Sequence, residues 1–119
     1  MILVPLWIHL SVFAYAADID TLVLYSESMK KNISTLIVIP HDHGKENRSN
    51  SAVMLLHGYG GNYLEWGEHA NLDSVADEFN FIIFCPDGST NSWYLDSPVD
   101  PESQYETYFI KELIPQLKI

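Results

Sequence analysis

Basic residues are scarce in this chain. Six Lys and Arg stand against 16 Asp and Glu, a formal net charge of -10 over 119 residues. That balance excludes a nucleic-acid surface and docking on an anionic membrane, because both select clustered Lys and Arg. The acidity serves solubility. Cysteine is almost absent: Cys85 has no partner for a disulfide and sits in the apolar run Phe81 to Cys85, where a thiol packs as a small core residue. Metal ligands are equally thin. His41-x-His43, with Asp42 and Glu46 nearby, lacks a third ligand at a diagnostic spacing, so no metal and no cofactor is expected. There is no internal repeat and no linker composition, and the length allows one domain at most.

What is present is apolar. Hydrophobic residues make up 47% of the chain and aromatics 13%, enough for a packed core rather than a disordered chain. Residues 1–16 carry no charge unless His9 is protonated, and they close on Ala14-Tyr15-Ala16, followed by Ala17 and Asp18. This small-x-small ending reads as a secretory signal peptide cleaved after Ala16 or Ala17. The same run has two other readings, a buried first helix and an uncleaved anchor, although it is short for a membrane span. With the signal, residues 17–119 form the mature domain and the destination is secreted or periplasmic.

Thr21 to Ser28 reads as a first strand and Lys31 to Pro40 as a second, joined so closely that they pair antiparallel. Ile33, Thr35, Ile37 and Ile39 share one face of the second strand; Asn32, Ser34, Leu36 and Val38 share the other. Residues 41–50 hold no large apolar side chain and form a solvated loop. Asn32-Ile33-Ser34 and Asn47-Arg48-Ser49 are glycosylation sequons, relevant only in a eukaryotic source.

The stretch Ser51 to Asn62 organises the rest. Ala52 to Leu56 is an unbroken apolar run, as in a strand buried on both faces. It breaks into His57-Gly58-Tyr59-Gly60-Gly61, a loop whose glycines let backbone N–H groups approach a ligand and permit positive φ. Asn71 to Phe79 is a helix: Asn71 stands at the N-cap, Asp73 lies in the first turn, and Leu72, Val75, Ala76 and Phe79 form one stripe. Asn80 stands at its end, Phe81 to Cys85 forms another buried strand, and Pro86-Asp87-Gly88 stops it. Strand, helix, strand with alternation-free strands is a right-handed βαβ unit in a parallel sheet, so the class is α/β. A last helix is expected from Asp100 as N-cap with Pro101 at N1, running to Lys118, with Pro115 bending its last turn.

Four features, in this order and spacing, carry a resemblance. They are Leu56-His57-Gly58-Tyr59-Gly60-Gly61, the strand ending Pro86-Asp87-Gly88, Asn91-Ser92-Trp93-Tyr94, and Tyr105-Glu106-Thr107 through Glu112-Leu113-Ile114-Pro115. The chain resembles the N-terminal half of the putative-esterase family of α/β-hydrolases. That family includes S-formylglutathione hydrolases, feruloyl and acetyl xylan esterases, and mycolyl transferases. The resemblance implies a serine hydrolase of esters or thioesters, with the nucleophile on a G-x-S-x-G elbow and Asp or Glu, then His, further along. No G-x-S-x-G occurs in the 119 residues, so the fold is expected to be truncated before that elbow, with no match for any triad member.

By the same resemblance, Tyr59 offers its backbone N–H to an oxyanion, and Gly58, Gly60 and Gly61 let the loop turn, Gly58 being the one expected to need close backbone approach. The plainer reading is a tight strand–helix turn. His57 is implied to be structural, holding the loop. Asp87, at the carboxyl end of a strand, is placed for chemistry but suits turn hydrogen bonds. Trp93 and Tyr94 either line an acyl or aromatic pocket or pack; Trp66 is ambiguous in the same way, and His69 is read as a residue near the helix start. Expected partners are small-molecule or polysaccharide-linked esters. Three functions stay open: an exported carboxylesterase of which this chain supplies the oxyanion-loop half, a non-catalytic fragment or binding module, and an acyltransferase on the same scaffold.

Overall fold

The computed structural model describes residues 16–45 and 50–117. The proposed leader therefore lies outside the described residues except for Ala16, as do the sequon at Asn47 and Lys118. Four strands form one mixed sheet: β1 (Asp18–Ser26), β2 (Lys31–Ile39), β3 (Ser51–Met54) and β4 (Phe81–Pro86), in the order β1-β2-β4-β3. β1 and β2 pair antiparallel with Leu24 opposite Ile33, β2 and β4 antiparallel with Leu36 opposite Cys85, and β3 and β4 parallel with Val53 opposite Ile83. The antiparallel start and the parallel strand–helix–strand unit follow the sequence pattern.

β2 is covered on both faces over part of its length, which explains why Leu36 and Val38 on one face and Ile33 on the other are all apolar. Leu36 and Val38 join Ile83 and Cys85 beneath Leu72 and Ala76 of α2 (Leu72–Phe79). Ile33 faces the opposite way, into a cluster of Met29, Tyr105, Tyr108, Phe109 and Leu113. Cys85 is buried in the first cluster, and burial pushes its thiol up to about 11. Asp77 of α2 ties the sheet's outer corner together: its carboxylate accepts the Ala17 N–H at 3.0 Å and the His41 N–H at 2.8 Å.

Helix ends are where sequence expectation and structure part. Asn71 does stand at the N-cap of α2, but its amide donates to Ser74 Oγ at 3.1 Å instead of capping a backbone N–H. Asn80 ends the helix in the left-handed region at φ 55, a conformation Asn tolerates well. A short helix, α1 (Glu65–His69), was not foreseen; none of its residues is buried, so no apolar stripe announces it. His69 ends α1, three residues before the first residue of α2.

The last helical stretch begins at Tyr105, not after Asp100. Asp100 instead accepts the Glu102 N–H at 2.9 Å within a turn. The helix start is anchored from outside the helix, by Asp96, which takes the Thr107 N–H at 2.9 Å and the Thr107 hydroxyl at 2.6 Å. Those bonds, the hydroxyl's first, hold the Asp96 carboxyl below its ordinary range. From α3 (Tyr105–Thr107) the chain widens into a π-helical segment, Tyr108–Leu113, and closes with α4 (Ile114–Gln116). Pro115 gives the reason: it has no N–H for the ladder and its ring crowds the turn before it, while the Ile114 N–H reaches back five residues to the Phe109 carbonyl.

Glu112 joins this helix to the hairpin between β1 and β2. Its Oε1 accepts the Ser28 N–H at 2.8 Å. Burial pushes the Glu112 carboxyl up, but Ser26, Ser28 and the backbone N–H groups of Ser28 and Glu27 together outweigh it and hold it below the usual range. The Oε2 atom is buried without a hydrogen-bond partner. A depressed carboxyl stabilises the fold above its unfolded value and loses that contribution as pH falls through its folded value. Glu112→Gln is therefore expected to cost about 1 kcal/mol at pH 7. The gap to the unsubstituted chain should close as the pH falls below the ordinary carboxylate range, measured by urea unfolding.

Candidate functional site

β3 and β4 run parallel, so their carboxyl ends open on the same edge of the sheet and deliver two loops side by side. The Leu55 N–H still bonds the Phe84 carbonyl at 2.8 Å, extending the ladder one residue beyond β3. After it comes the loop His57 to Gly61, and after Pro86 the loop Asp87 to Tyr94. Between them lies a cleft of about 200 Å³ lined by His57, Gly58 and Tyr59 on one side and by Gly88 through Tyr94 on the other.

His57 joins the two loops. It is 6% exposed, and both ring nitrogens are engaged. Nε2 accepts the Gly88 N–H at 2.9 Å, so the proton sits on Nδ1, which donates to the Gly58 carbonyl at 2.8 Å. With both nitrogens engaged to backbone, the imidazole has no lone pair turned to the cleft. Asp87 Oδ1 lies 3.8 Å from Nε2, but its bond goes to the Ser89 N–H at 2.7 Å, an Asx turn.

The glycine loop is a tight turn. Gly61 N–H bonds Gly58 O at 3.1 Å, and Gly60, the third residue of that turn, has φ +75, as a type II turn demands of glycine. Gly60 N–H bonds Thr90 O across the cleft at 3.0 Å. The Tyr59 N–H, at the second position of the turn, has no partner among the described residues, and its side chain is 77% exposed. Gly58 has room around it, with nothing nearer than Glu65 Oε1 at 4.0 Å from an added Cβ. The protein itself crowds Gly61 and Gly88: a Cβ would strike the Glu65 carboxylate in the first case and the Tyr94 ring in the second.

The far wall is a turn of unusual composition. Leu95 N–H returns to Ser92 O at 3.2 Å, and the two central residues, Trp93 and Tyr94, have φ 54 and 60. Positive φ at both centres is the pattern of a type I′ turn, normally filled by Asn and Gly. A bulky residue held there costs about 1–3 kcal/mol and persists only where its surroundings impose it. Ser92 imposes it: its hydroxyl donates to the Gly88 carbonyl and accepts the Tyr94 N–H at 3.0 Å. The result presents Trp93 to solvent, 74% exposed, at the mouth of the cleft. Tyr94 turns inward and donates its hydroxyl to the His57 carbonyl at 2.7 Å. Burial pushes that hydroxyl's pKa up, against the opposing effect of the bond to His57.

The structure thus brings His57, Gly58, Tyr59, Trp93 and Tyr94 to one cleft, while Asp87 is not among the residues lining it and Gly60 bonds across to Thr90. Trp66 braces it from outside, its indole N–H on the Leu56 carbonyl at 2.9 Å. His41 and His43 lie apart from the cleft, on the turn after β2, where His43 Nδ1 meets Asn50 Oδ1 at 2.8 Å. Sequence reasoning passed over Gly88, Ser92 and Thr90. The signal for the first was its place directly after a buried strand; Ser92 and Thr90 act through bonds that no residue type announces.

Residues 26–118 match the family model described as Putative esterase. Over 92 residues the chain is 33% identical to an acetyl esterase of Caldicellulosiruptor saccharolyticus, covering 71% of this chain and 32% of that protein. In structure it is similar to a ferulic acid esterase, with a TM-score of 0.73 at 21% identity over 89% of this chain and 43% of the other. It is also similar to an S-formylglutathione hydrolase from Agrobacterium tumefaciens, with a TM-score of 0.75 at 19% identity over 88% of this chain and 44% of the other. The chain therefore spans about a third to under half of the length of these relatives. Packing around the cleft makes one prediction. Gly88→Ala is expected to displace the Tyr94 ring and destabilise the chain by about 1–3 kcal/mol, seen in urea unfolding and in loss of the near-ultraviolet aromatic signal.

Proposed function

This chain belongs to the putative esterase family, and from that premise we propose that it supplies the oxyanion-loop half of a serine ester hydrolase. The observation that carries the reading is the unpartnered Tyr59 N–H at the mouth of a cleft beyond the carboxyl ends of two parallel strands. In acyl transfer the carbonyl oxygen gains negative charge as the tetrahedral intermediate forms. A backbone N–H already held in place stabilises that charge without reorganising, and one such donor lowers the barrier by about 2.7–4 kcal/mol.

In this reading the Tyr59 N–H is that donor, Gly58 and Gly60 shape the turn that presents it, and His57 and Asp87 hold the loops. Trp93 and Tyr94 form the wall against which an acyl or aromatic group lies. The nucleophilic serine comes from elsewhere, on an elbow after a strand that pairs beside β3, which stands at the edge of the sheet, and its Asp and His partners lie further along. Substrates are small or polysaccharide-linked esters, plant polysaccharide acyl groups among them, and the protein works outside the cytoplasm, as the pattern of residues 1–16 suggests. Among the described residues no helix is long and apolar enough to cross a membrane.

The 119-residue chain by itself is expected to show no turnover of p-nitrophenyl acetate above buffer and no fluorophosphonate labelling. Serine-dependent, fluorophosphonate-sensitive hydrolysis by that chain would sink this division of labour. Grafted in place of the matching segment of the acetyl esterase, residues 26–118 are expected to retain hydrolysis. In the graft, Tyr59→Pro, which deletes the donor, should lower kcat about 10²–10³-fold with KM little changed. A folded graft indifferent to that substitution would remove Tyr59 from the mechanism.

A further inference from the structure

We infer that Tyr94 is a positioning residue for the Tyr59 amide, acting through the His57 carbonyl. Its side chain is fixed on every side. The hydroxyl donates to His57 O at 2.7 Å, the ring meets Phe109 at 5.6 Å, and it stands edge-on to the His57 ring at 5.7 Å. Gly88 lies so close that it has no space for a Cβ. The backbone is held at φ 60 by the Ser92 hydroxyl. A group so constrained transmits its position to the atom it bonds.

That atom belongs to the His57–Gly58 peptide, and the next peptide carries the Tyr59 N–H. Between the two planar peptides lies Gly58, which has no side chain to restrict φ and ψ and open space beside it. Hydrogen bonds must therefore do what a Cβ would do elsewhere. The carbonyl after Gly58 is pinned twice, by His57 Nδ1–H at 2.8 Å and by Gly61 N–H at 3.1 Å. The carbonyl before it is pinned by the Tyr94 hydroxyl. With that hydroxyl gone, Gly58 is held on one side only, and the peptide carrying the Tyr59 N–H loses the anchor that fixes its place relative to β3. Through Phe109, the same contact makes the loop's geometry depend on the C-terminal helical segment.

The functional meaning of this role rests on the ester-hydrolase reading, but its test is spectroscopic and stands or falls without any turnover. Tyr94→Phe keeps the ring and removes only the donor. In the isotopically labelled 119-residue chain, the His57 carbonyl carbon and the Gly58 and Tyr59 amides should shift. Hydrogen exchange at residues 58–61 should accelerate about tenfold, with β2 and β4 unchanged. Uniform acceleration over the whole chain, or no change at 58–61, overturns the inference. A second measurement needs no variant. The titratable groups facing Tyr94 are Asp87, Glu65 and His57, so the step at issue is identified by tyrosinate absorbance. As Tyr94 ionises, at a pH raised by its burial above the ordinary tyrosine value, its oxygen ceases to donate, and the His57 carbonyl carbon should shift in step. A carbonyl indifferent to that step overturns it equally.

Discussion

One buried imidazole couples the two loops that make the cleft. The His57 ring accepts from the backbone of the loop after β4 and donates within the loop after β3. Both bonds demand the neutral ring with its proton on Nδ1, so the residue is committed to architecture and has no lone pair left for general-base chemistry. The loops cannot be placed independently: Gly60 reaches Thr90, Tyr94 reaches back to His57, and Ser92 bends its own loop to let Tyr94 do so. Among the described residues the Tyr59 amide is a donor that this set of bonds leaves without a partner, on a residue that is itself exposed. An N–H held by its neighbours and bonded to none of them is ready to meet developing negative charge without paying for rearrangement.

That arrangement depends on a sheet wedged between two unlike cores. On one face α2 packs Leu72 and Ala76 onto β2 and β4; on the other, Tyr105, Tyr108 and Phe109 press against β2 and the hairpin that follows β1. Two acidic residues anchor the second layer from outside the apolar contacts. Asp96 holds the start of the helical stretch at Thr107, and Glu112 holds its middle to the hairpin at Ser28. Phe109 then touches Tyr94, so the layer furthest from the glycine loop in sequence sets one of its walls.

Much of this was legible in the chain. β2 carries apolar residues on both faces because both are covered, and the run ending at Cys85 shows no alternation because β4 lies inside the sheet. The run ending at Leu56 reads as buried on both faces, but β3 is an edge strand ending at Met54, with Ala52 and Leu56 exposed. The stripe Leu72, Val75, Ala76, Phe79 marked α2, and His57-Gly58-Tyr59-Gly60-Gly61 marked the loop. Local rules failed wherever the partner was remote. Asp100 beside Pro101 looked like a helix start, but the anion that anchors the helix is Asp96, eleven residues before Thr107. α1 buries nothing and so left no periodic trace. Trp93 and Tyr94 are poor candidates for positive φ by residue type; a serine two bonds away forces them into it.

The sequence alone therefore determined the layers, the strand directions and which loop carries exposed backbone, because periodicity and glycine content are properties of neighbouring residues. It determined the family for the same reason: short motifs in a fixed order survive without their contacts. What only tertiary structure decided is the use of each polar group. That Nε2 of His57 meets Gly88, that the Tyr94 hydroxyl donates to the His57 carbonyl, and that Gly88 has no room for a methyl all follow from contacts 6–37 residues apart. Such contacts exist only once the sheet has brought its two carboxyl ends together.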